Sequence, residues 1–246
     1  MIRSSGRSWA PRGAFKQNSG RGELAASRSL LDLATIRNIR GKRMIDHAVR
    51  PLLERLHKPL AVALAKRVHP HAVSLAGFLF GLGCAAALLN GGYAIALLLW
   101  ILNRSADGLD GTLARTSGRQ TDFGGYLDIM FDFAVYAAIP IALVFGLPEE
   151  LRSRAYLPLV ALLASFYVNS ASWMFPAALL EKRGRANALS TSITMPSGLI
   201  EATETMLLYC ALIVMPAAAP EIISVIAGLV FATAAQRIYW GYSHLR

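Results

Sequence analysis

The sequence is poor in charge, in acids and in cysteine. Only 16% of its 246 residues are charged, against about 25% in an ordinary soluble domain. Asp and Glu number 15 against 25 Lys and Arg, giving a formal net charge of +10. The two cysteines, Cys84 and Cys210, both fall inside apolar runs. They read as small packing residues, and their spacing excludes a disulfide framework or a cysteine metal site. Residues 1–43 lack the continuous apolar core of a signal peptide.

What the chain does have is long uncharged stretches. No charged residue lies between Leu75 and Leu102, or between Ala155 and Leu180. The composition is 54% hydrophobic and the mean hydropathy is +0.43. About 20 apolar residues suffice to cross a bilayer. Inside lipid the backbone must satisfy its own hydrogen bonds, which selects helices. The expected fold is all-α integral membrane: six transmembrane helices preceded by an amphipathic interfacial helix.

Three regions are expected. Residues 1–43 are rich in Arg, Ser and Gly and are predicted to be a disordered basic extension. An acid-poor, Arg- and Ser-rich start also fits an organelle transit peptide, and translation from Met44, where periodic sequence begins, is a third reading. Residues 44–72 form a juxtamembrane segment. In it Leu52, Leu53, Leu56, Leu60 and Leu64 recur at about a helical turn among Arg50, Arg55, Lys58, Lys66 and Arg67. This pattern predicts an amphipathic helix in the membrane interface, kinked at Pro59. A soluble helix packed on the domain is the alternative. Residues 73–246 form the transmembrane domain, with spans predicted near 73–89, 93–114, 124–146, 156–180, 198–217 and 220–240.

The charge distribution orients these spans. Fifteen of the 25 basic residues precede the first span, which marks a cytoplasmic flank touching anionic lipid rather than a nucleic-acid surface. With the amino terminus inside, the outer loops (90–92, 147–155 and the turn near 216–220) carry only Arg152 and Arg154. The other 23 basic residues fall inside or at the boundary, as the positive-inside rule requires. The expected location is a cell inner (plasma) membrane, multi-pass, with the site facing the cytoplasm.

The chemistry-bearing stretch joins the second and third spans. Asp107 and Asp110 are three apart and share a helix face; Asp128 and Asp132 are four apart and share a face on the next helix. The short connection predicts adjacent antiparallel helices with the two acid pairs opposed. Four carboxylates at membrane depth repel one another and are costly to desolvate. Divalent cations relieve both. An all-oxygen donor set without nearby His or Cys suits Mg2+ or Mn2+, and two such ions about 4 Å apart stabilise phosphoryl transfer. Gly111, Ala114 and Gly124 remove bulk beside the acids, letting helices or a nucleotide approach. The competing reading pairs the acids with Arg104, Arg115 and Arg119, with Arg104 compensating Asp107 one turn away.

The run Asp107-x2-Asp110-Gly111-x2-Ala114-Arg115-x8-Gly124-x3-Asp128-x3-Asp132 resembles, at every fixed position, the signature of the CDP-alcohol phosphatidyltransferase family. The likeness extends over about residues 45–242 and is nearest to an uncharacterised bacterial inner-membrane branch. One departure is Pro70-His71-Ala72-Val73-Ser74, where the family often has Pro-Asn-x-x-Thr. The resemblance implies that a CDP-linked lipid such as CDP-diacylglycerol meets a small polar alcohol, and that CMP leaves. It implies Asp107, Asp110, Asp128 and Asp132 as ligands for two ions, with Asp132 also the catalytic base. It implies a CDP site of Asp107, Gly111, Ala114, Arg115 and Gly124, and a homodimer.

Weaker signals remain. Glu201 and Glu204, near the start of the fifth span, are candidates for the acceptor site or for ion pairs with Lys182, Arg183 or Arg185. Those three bases could instead grip an acceptor phosphate or simply mark an inner loop. Asn169, Ser170 and Ser172 suit helix packing. Two rival classes are a membrane prenyltransferase, which would separate its acid-rich motifs, and a transporter using the acids as a cation site, which would favour internal repeats.

Overall fold

A computed structural model describes residues 46–183 and 198–245, with side chains from residue 55 onward within those ranges, His244 excepted. The expectations for residues 1–43, Met44 and Arg185 lie outside the described residues. All regular structure among the described residues is helical: α1 Asp46–Leu64, α2 Pro70–Leu89, α3 Tyr93–Ser117, α4 Asp122–Gly146, α5 Glu149–Lys182, α6 Ala202–Val214, a 3-10 turn Pro216–Ala218 and α7 Ala219–His244.

The surface is inside-out for a protein in water. Leu79, Leu98, Leu157, Val160 and Phe175 are exposed, while Asn103, Asp110 and Arg237 are buried. An apolar exterior around a polar interior fits a hydrocarbon solvent. By length and composition four helices can cross a membrane: α2, α4, α5 and the Pro216–Ser243 stretch containing α7. The other two predicted spans differ from expectation for physical reasons. The 25-residue α3 is long enough, but its second half carries Arg104, Asp107, Asp110 and Arg115. The predicted 198–217 span contracts to the 13 residues of α6, only about 20 Å of helix.

The predicted outer loop 147–155 is also mostly helix. Pro148 caps α5, Glu149 and Glu150 occupy its first turn, and acids there complement the helix dipole. Arg152 donates twice to the Leu147 carbonyl, at 3.2 and 2.8 Å, and Arg154 bridges to Glu221 of α7 at 2.6 Å. At the start of the chain, α1 runs through Pro51 and Pro59.

The helices form two closely packed groups, α2 with α3 and α4, and α5 with α7. Helix α6 contacts α7 and is tied to the first group through an aromatic knot. Trp100 of α3 stacks on Tyr209 of α6 at 5.2 Å, and Tyr136 of α4 meets Tyr209 edge-on at 5.3 Å. The polar ends of this knot are satisfied: Tyr209 Oη donates to the Tyr136 carbonyl at 2.8 Å and Trp100 Nε1 to the Met206 carbonyl at 3.3 Å. Tyr209 and Trp100 are fully buried, and large aromatic rings in such a place carry much of the packing energy.

Candidate active site

The short connection predicts adjacent antiparallel helices with their acid pairs opposed, and the two pairs do face one cleft. Helices α3 and α4 each pack along α2, so that the two stand apart across it. Small residues on one face of α2 explain this. Ser74, Gly77 and Gly81 follow one another at helical spacing. A methyl group on Gly81 would lie 2.5 Å from Val135 of α4, and one on Gly77 would lie 3.0 Å from Ala106 of α3. Asn103 Nδ2 donates to the Gly77 carbonyl at 2.8 Å and fixes the α2–α3 register. Phe78 stacks on Phe131 at 4.4 Å and does the same for α2 and α4. Helix α2 is thus the wedge that sets the gap.

At the other end, α3 stops at Gly118, whose φ of +66° is a left-handed cap suited to glycine. Three residues later Thr121 caps α4, accepting from the Gly124 amide at 3.0 Å. The chain therefore reverses at once, and Asp107 and Asp110 meet Asp128 and Asp132 across the gap.

All four predicted acids line this one cleft, together with Ser74, Gly77, Phe78, Asn103, Arg104 and Phe131. The Asp107 and Asp132 side chains keep 34% and 31% of their surface, so the cleft is open to a ligand. No His or Cys lines it. The donor set is hard oxygen, and it fits Mg2+ or Mn2+. Among the described residues, however, no three acids converge on one point as a ready-made metal site.

The arginine reading holds in part. Arg104 Nη2 donates to Asp132 Oδ1 at 2.6 Å, while Nη1 stands 3.6 Å from Asp107 Oδ2. Helical spacing pairs Arg104 with Asp107, one turn away. The contact across to Asp132 depends on α4 and could not be read from helical spacing. Arg115 donates to Thr112 Oγ1 at 3.3 Å.

The remaining predicted residues flank the cleft without lining it. Gly111, Ala114 and Arg115 continue α3 beyond Asp110. Gly124 lies in the first turn of α4, where a methyl would come within 2.9 Å of His71 Cε1. Gly108, between the first two acids, is covered by the His57 ring of α1, with a methyl there only 2.7 Å from His57 Cε1. Glu201 and Glu204 are not in the cleft lining. They form a reciprocal capping box at the start of α6, and the Glu204 carboxylate accepts from the Glu201 amide at 3.2 Å. Arg183 instead donates to the Leu245 carbonyl at 3.0 Å. Among the weaker polar candidates, Asn169 accepts from Arg237 Nη1 at 2.9 Å and Ser172 donates to the Asn169 carbonyl at 2.6 Å.

Two polar neighbours of the acids lie outside the candidate site residues read from the sequence, Ser74 and Asn103. Ser74 Oγ donates to Asp110 Oδ2 at 2.5 Å, and the Ser at the Thr position of the Pro-x-x-x-Thr-like segment was the available signal. Asn103 had no signal beyond being polar within an apolar run.

Comparison with known proteins agrees with this geometry. The family model for CDP-alcohol phosphatidyltransferases matches residues 67–235. The inner membrane protein YnjF of Escherichia coli K12 is 33% identical over 206 residues, 82% of this chain and 98% of its own length. An uncharacterised Aquifex aeolicus protein is 36% identical over 91 residues, 36% of this chain and 46% of its own length. Two crystal structures of the Mycobacterium tuberculosis phosphatidylinositol phosphate synthase PgsA1 share the fold. The one with CDP-DAG bound superposes with a TM-score of 0.56 at 22% identity, covering 75% of this chain and 92% of that one. The one with manganese and citrate gives 0.55 at 21%, covering 76% and 89%. A cleft lined by the four acids of the motif, inside a family match spanning most of the chain, places this protein in the CDP-alcohol phosphatidyltransferase family, as a membrane-embedded phosphatidyltransferase enzyme.

Proposed function

We propose that this enzyme transfers a phosphatidyl group from a CDP-linked lipid such as CDP-diacylglycerol to a small polar alcohol, with Mg2+ or Mn2+ required. The observation that carries the reading is the convergence of Asp107, Asp110, Asp128 and Asp132 on one open cleft. The family match and the CDP-DAG and manganese in the PgsA1 structures support it. When bound, divalent ions would neutralise charge on the pyrophosphate and on the oxygens of the reacting phosphate.

The residues of the chain supply the rest. The four carboxylates hold the ions, and Ser74 fixes the orientation of Asp110 through their hydrogen bond. Arg115, past Asp110 on α3, is the proposed charge partner of the CDP phosphates. Asp132 accepts the hydroxyl proton of the alcohol. The alcohol oxygen bonds to the phosphorus that bears the lipid, the bond from that phosphorus to the CMP oxygen breaks, and CMP leaves with the electron pair. An apolar cavity of about 370 Å3 between α1, α2 and α3, bounded by Leu60, Val73, Phe80 and Leu109 among others, suits a hydrocarbon tail beside the cleft.

The proposed placement in the bilayer has α1 in the inner interface, α2–α7 as six crossings and the cleft facing the cytoplasm. The exposed Leu56, Leu60 and Val62 of α1 support that helix as an interfacial one. The short α6 completes its crossing together with the 3-10 turn that follows it. YnjF is an inner membrane protein by name, and the same location is proposed here, with a homodimer as the working assembly.

The test is direct. Purified protein in detergent is given labelled CDP-diacylglycerol, either metal and a panel of alcohols. CMP release that needs both a metal and one alcohol supports the reading; no release with any alcohol sinks it. Asp132→Asn is expected to lower kcat by about 10^3 with a smaller loss of CDP-lipid binding. Full activity in that variant would remove Asp132 as the base.

A further inference from the structure

Arg104 stands outside the eight-residue motif, and the reaction scheme above gives it no task. Yet it is the most constrained charged side chain in the cleft. Its side chain keeps 10% of its surface. Nη2 donates to Asp132 Oδ1 at 2.6 Å, Nη1 donates to Tyr136 Oη at 3.2 Å and Nε donates to Asn103 Oδ1 at 2.8 Å. The guanidinium also lies over two rings, 4.9 Å from the Trp100 centroid and 5.1 Å from that of Tyr136. A single ion pair needs none of this. Aromatic faces and three separate acceptors fix both the position and the plane of the fork.

The location gives that fixation a purpose. Asp107 and Asp132 are the members of the two acid pairs farther from the α3–α4 turn, and Arg104 lies one helical turn beyond Asp107. The guanidinium therefore closes the inner end of the cleft and bridges the two helices there. It engages Oδ1 of Asp132 and leaves Oδ2 for the cleft. It also adds one fixed positive charge next to four carboxylates, so a divalent ion approaching Asp107 and Asp132 meets a like charge.

We infer that Arg104 is a positioning residue that serves as the resident cation of the cleft, aiming Asp132 and limiting how strongly the inner end of the acid cluster binds divalent ions. The inference rests on the metal-dependent reading proposed above. It has an unusual signature, because removing the charge acts on binding and turnover in opposite directions. The acids gain affinity for metal, and Asp132 loses the donor that aims it. An ordinary structural ion pair would weaken both together.

The experiment measures Mn2+ binding to purified protein without substrate, by the loss of the free-ion paramagnetic signal, alongside CMP-release kinetics. Arg104→Met is expected to bind Mn2+ at least about tenfold more tightly, to lose about 10^2 in kcat, and to keep its KM for the CDP-lipid within about threefold. Arg104→Lys retains charge without the fork, so it should bind Mn2+ like the wild type while kcat stays low. If Arg104→Met fails to fold, Arg104→Gln removes the same charge and carries the same expectation. Unchanged or weakened Mn2+ binding in the neutral variants overturns the inference. Asp110→Asn serves as the separate control: wild-type Mn2+ affinity in that protein overturns the metal reading itself.

Discussion

At the scale of single residues, the acids were legible and their helpers were not. Asp107, Asp110, Asp128 and Asp132 announce themselves by i,i+3 and i,i+4 spacing in an otherwise apolar region, where each charge demands a reason. The bonds of Ser74 and Asn103 and the Arg104–Asp132 contact join residues 26 to 36 positions apart in sequence, on separate helices, and no local periodicity reports such pairs. Glu201 and Glu204 carry two readings at once. Three apart at a helix start, they suit a ligand site, and the same spacing is that of the capping box they form. The Ser74–Asp110 bond yields a residue-scale prediction. Ser74→Ala should weaken Mn2+ binding about tenfold, in the range for a lost partner of a metal ligand. Ser74→Thr, which keeps the hydroxyl, should stay near wild type; titration of the two variants with Mn2+ decides it.

At the scale of elements, the helices came from apolar run length and their packing partners did not. The sequence could show that α3 and α4 are consecutive and antiparallel. That a third helix separates them depends on the small face of α2, and small residues have many uses in a membrane helix. Gly81→Ala tests this. The added methyl would press on Val135, and overpacking of this kind costs about 1–3 kcal/mol. The melting temperature should fall in Gly81→Ala and recover in part when combined with Val135→Ala, which vacates the space. The fit of α1 against α3 carries a pH dependence. Burial holds His57 below its ordinary value of 6.5, so the neutral ring is the form that packs on Gly108. An undocked ring takes up its proton first as pH falls. Its contribution is therefore complete above about 6.5 and is lost as acidification passes the lower docked value. Hydrogen exchange of α1 should speed up below that range in the wild type, and the acid step should vanish in His57→Phe.

At the scale of the whole molecule, charge bias and hydropathy together predict which end of each helix meets the cytoplasm. On the proposed topology the Arg154–Glu221 bridge and the start of α5 lie at the outer end, and the Gly118–Thr121 turn lies at the cytoplasmic end. A single cysteine placed at Ser153 should react with an impermeant thiol reagent in intact cells, and one at Gly118 should react only after the membrane is opened. The reverse pattern would invert the topology and put the cleft outside. The count of crossings is hard to read from hydropathy, because α3 is diluted by charge and α6 is short.

The charged half of α3 has a consequence for how the protein is made. Moving an arginine and two aspartates to mid-helix positions opposes insertion by about 2.5–3.5 kcal/mol for each group nearest the centre, so this helix is a reluctant entrant to lipid by itself. Its polar face finds shelter against the Gly77 carbonyl of α2, Ser74 and the far side of the gap on α4. The helix bearing half of the chemistry must therefore be delivered into the bilayer in the company of its neighbours, and biogenesis and the building of the reaction centre become a single event.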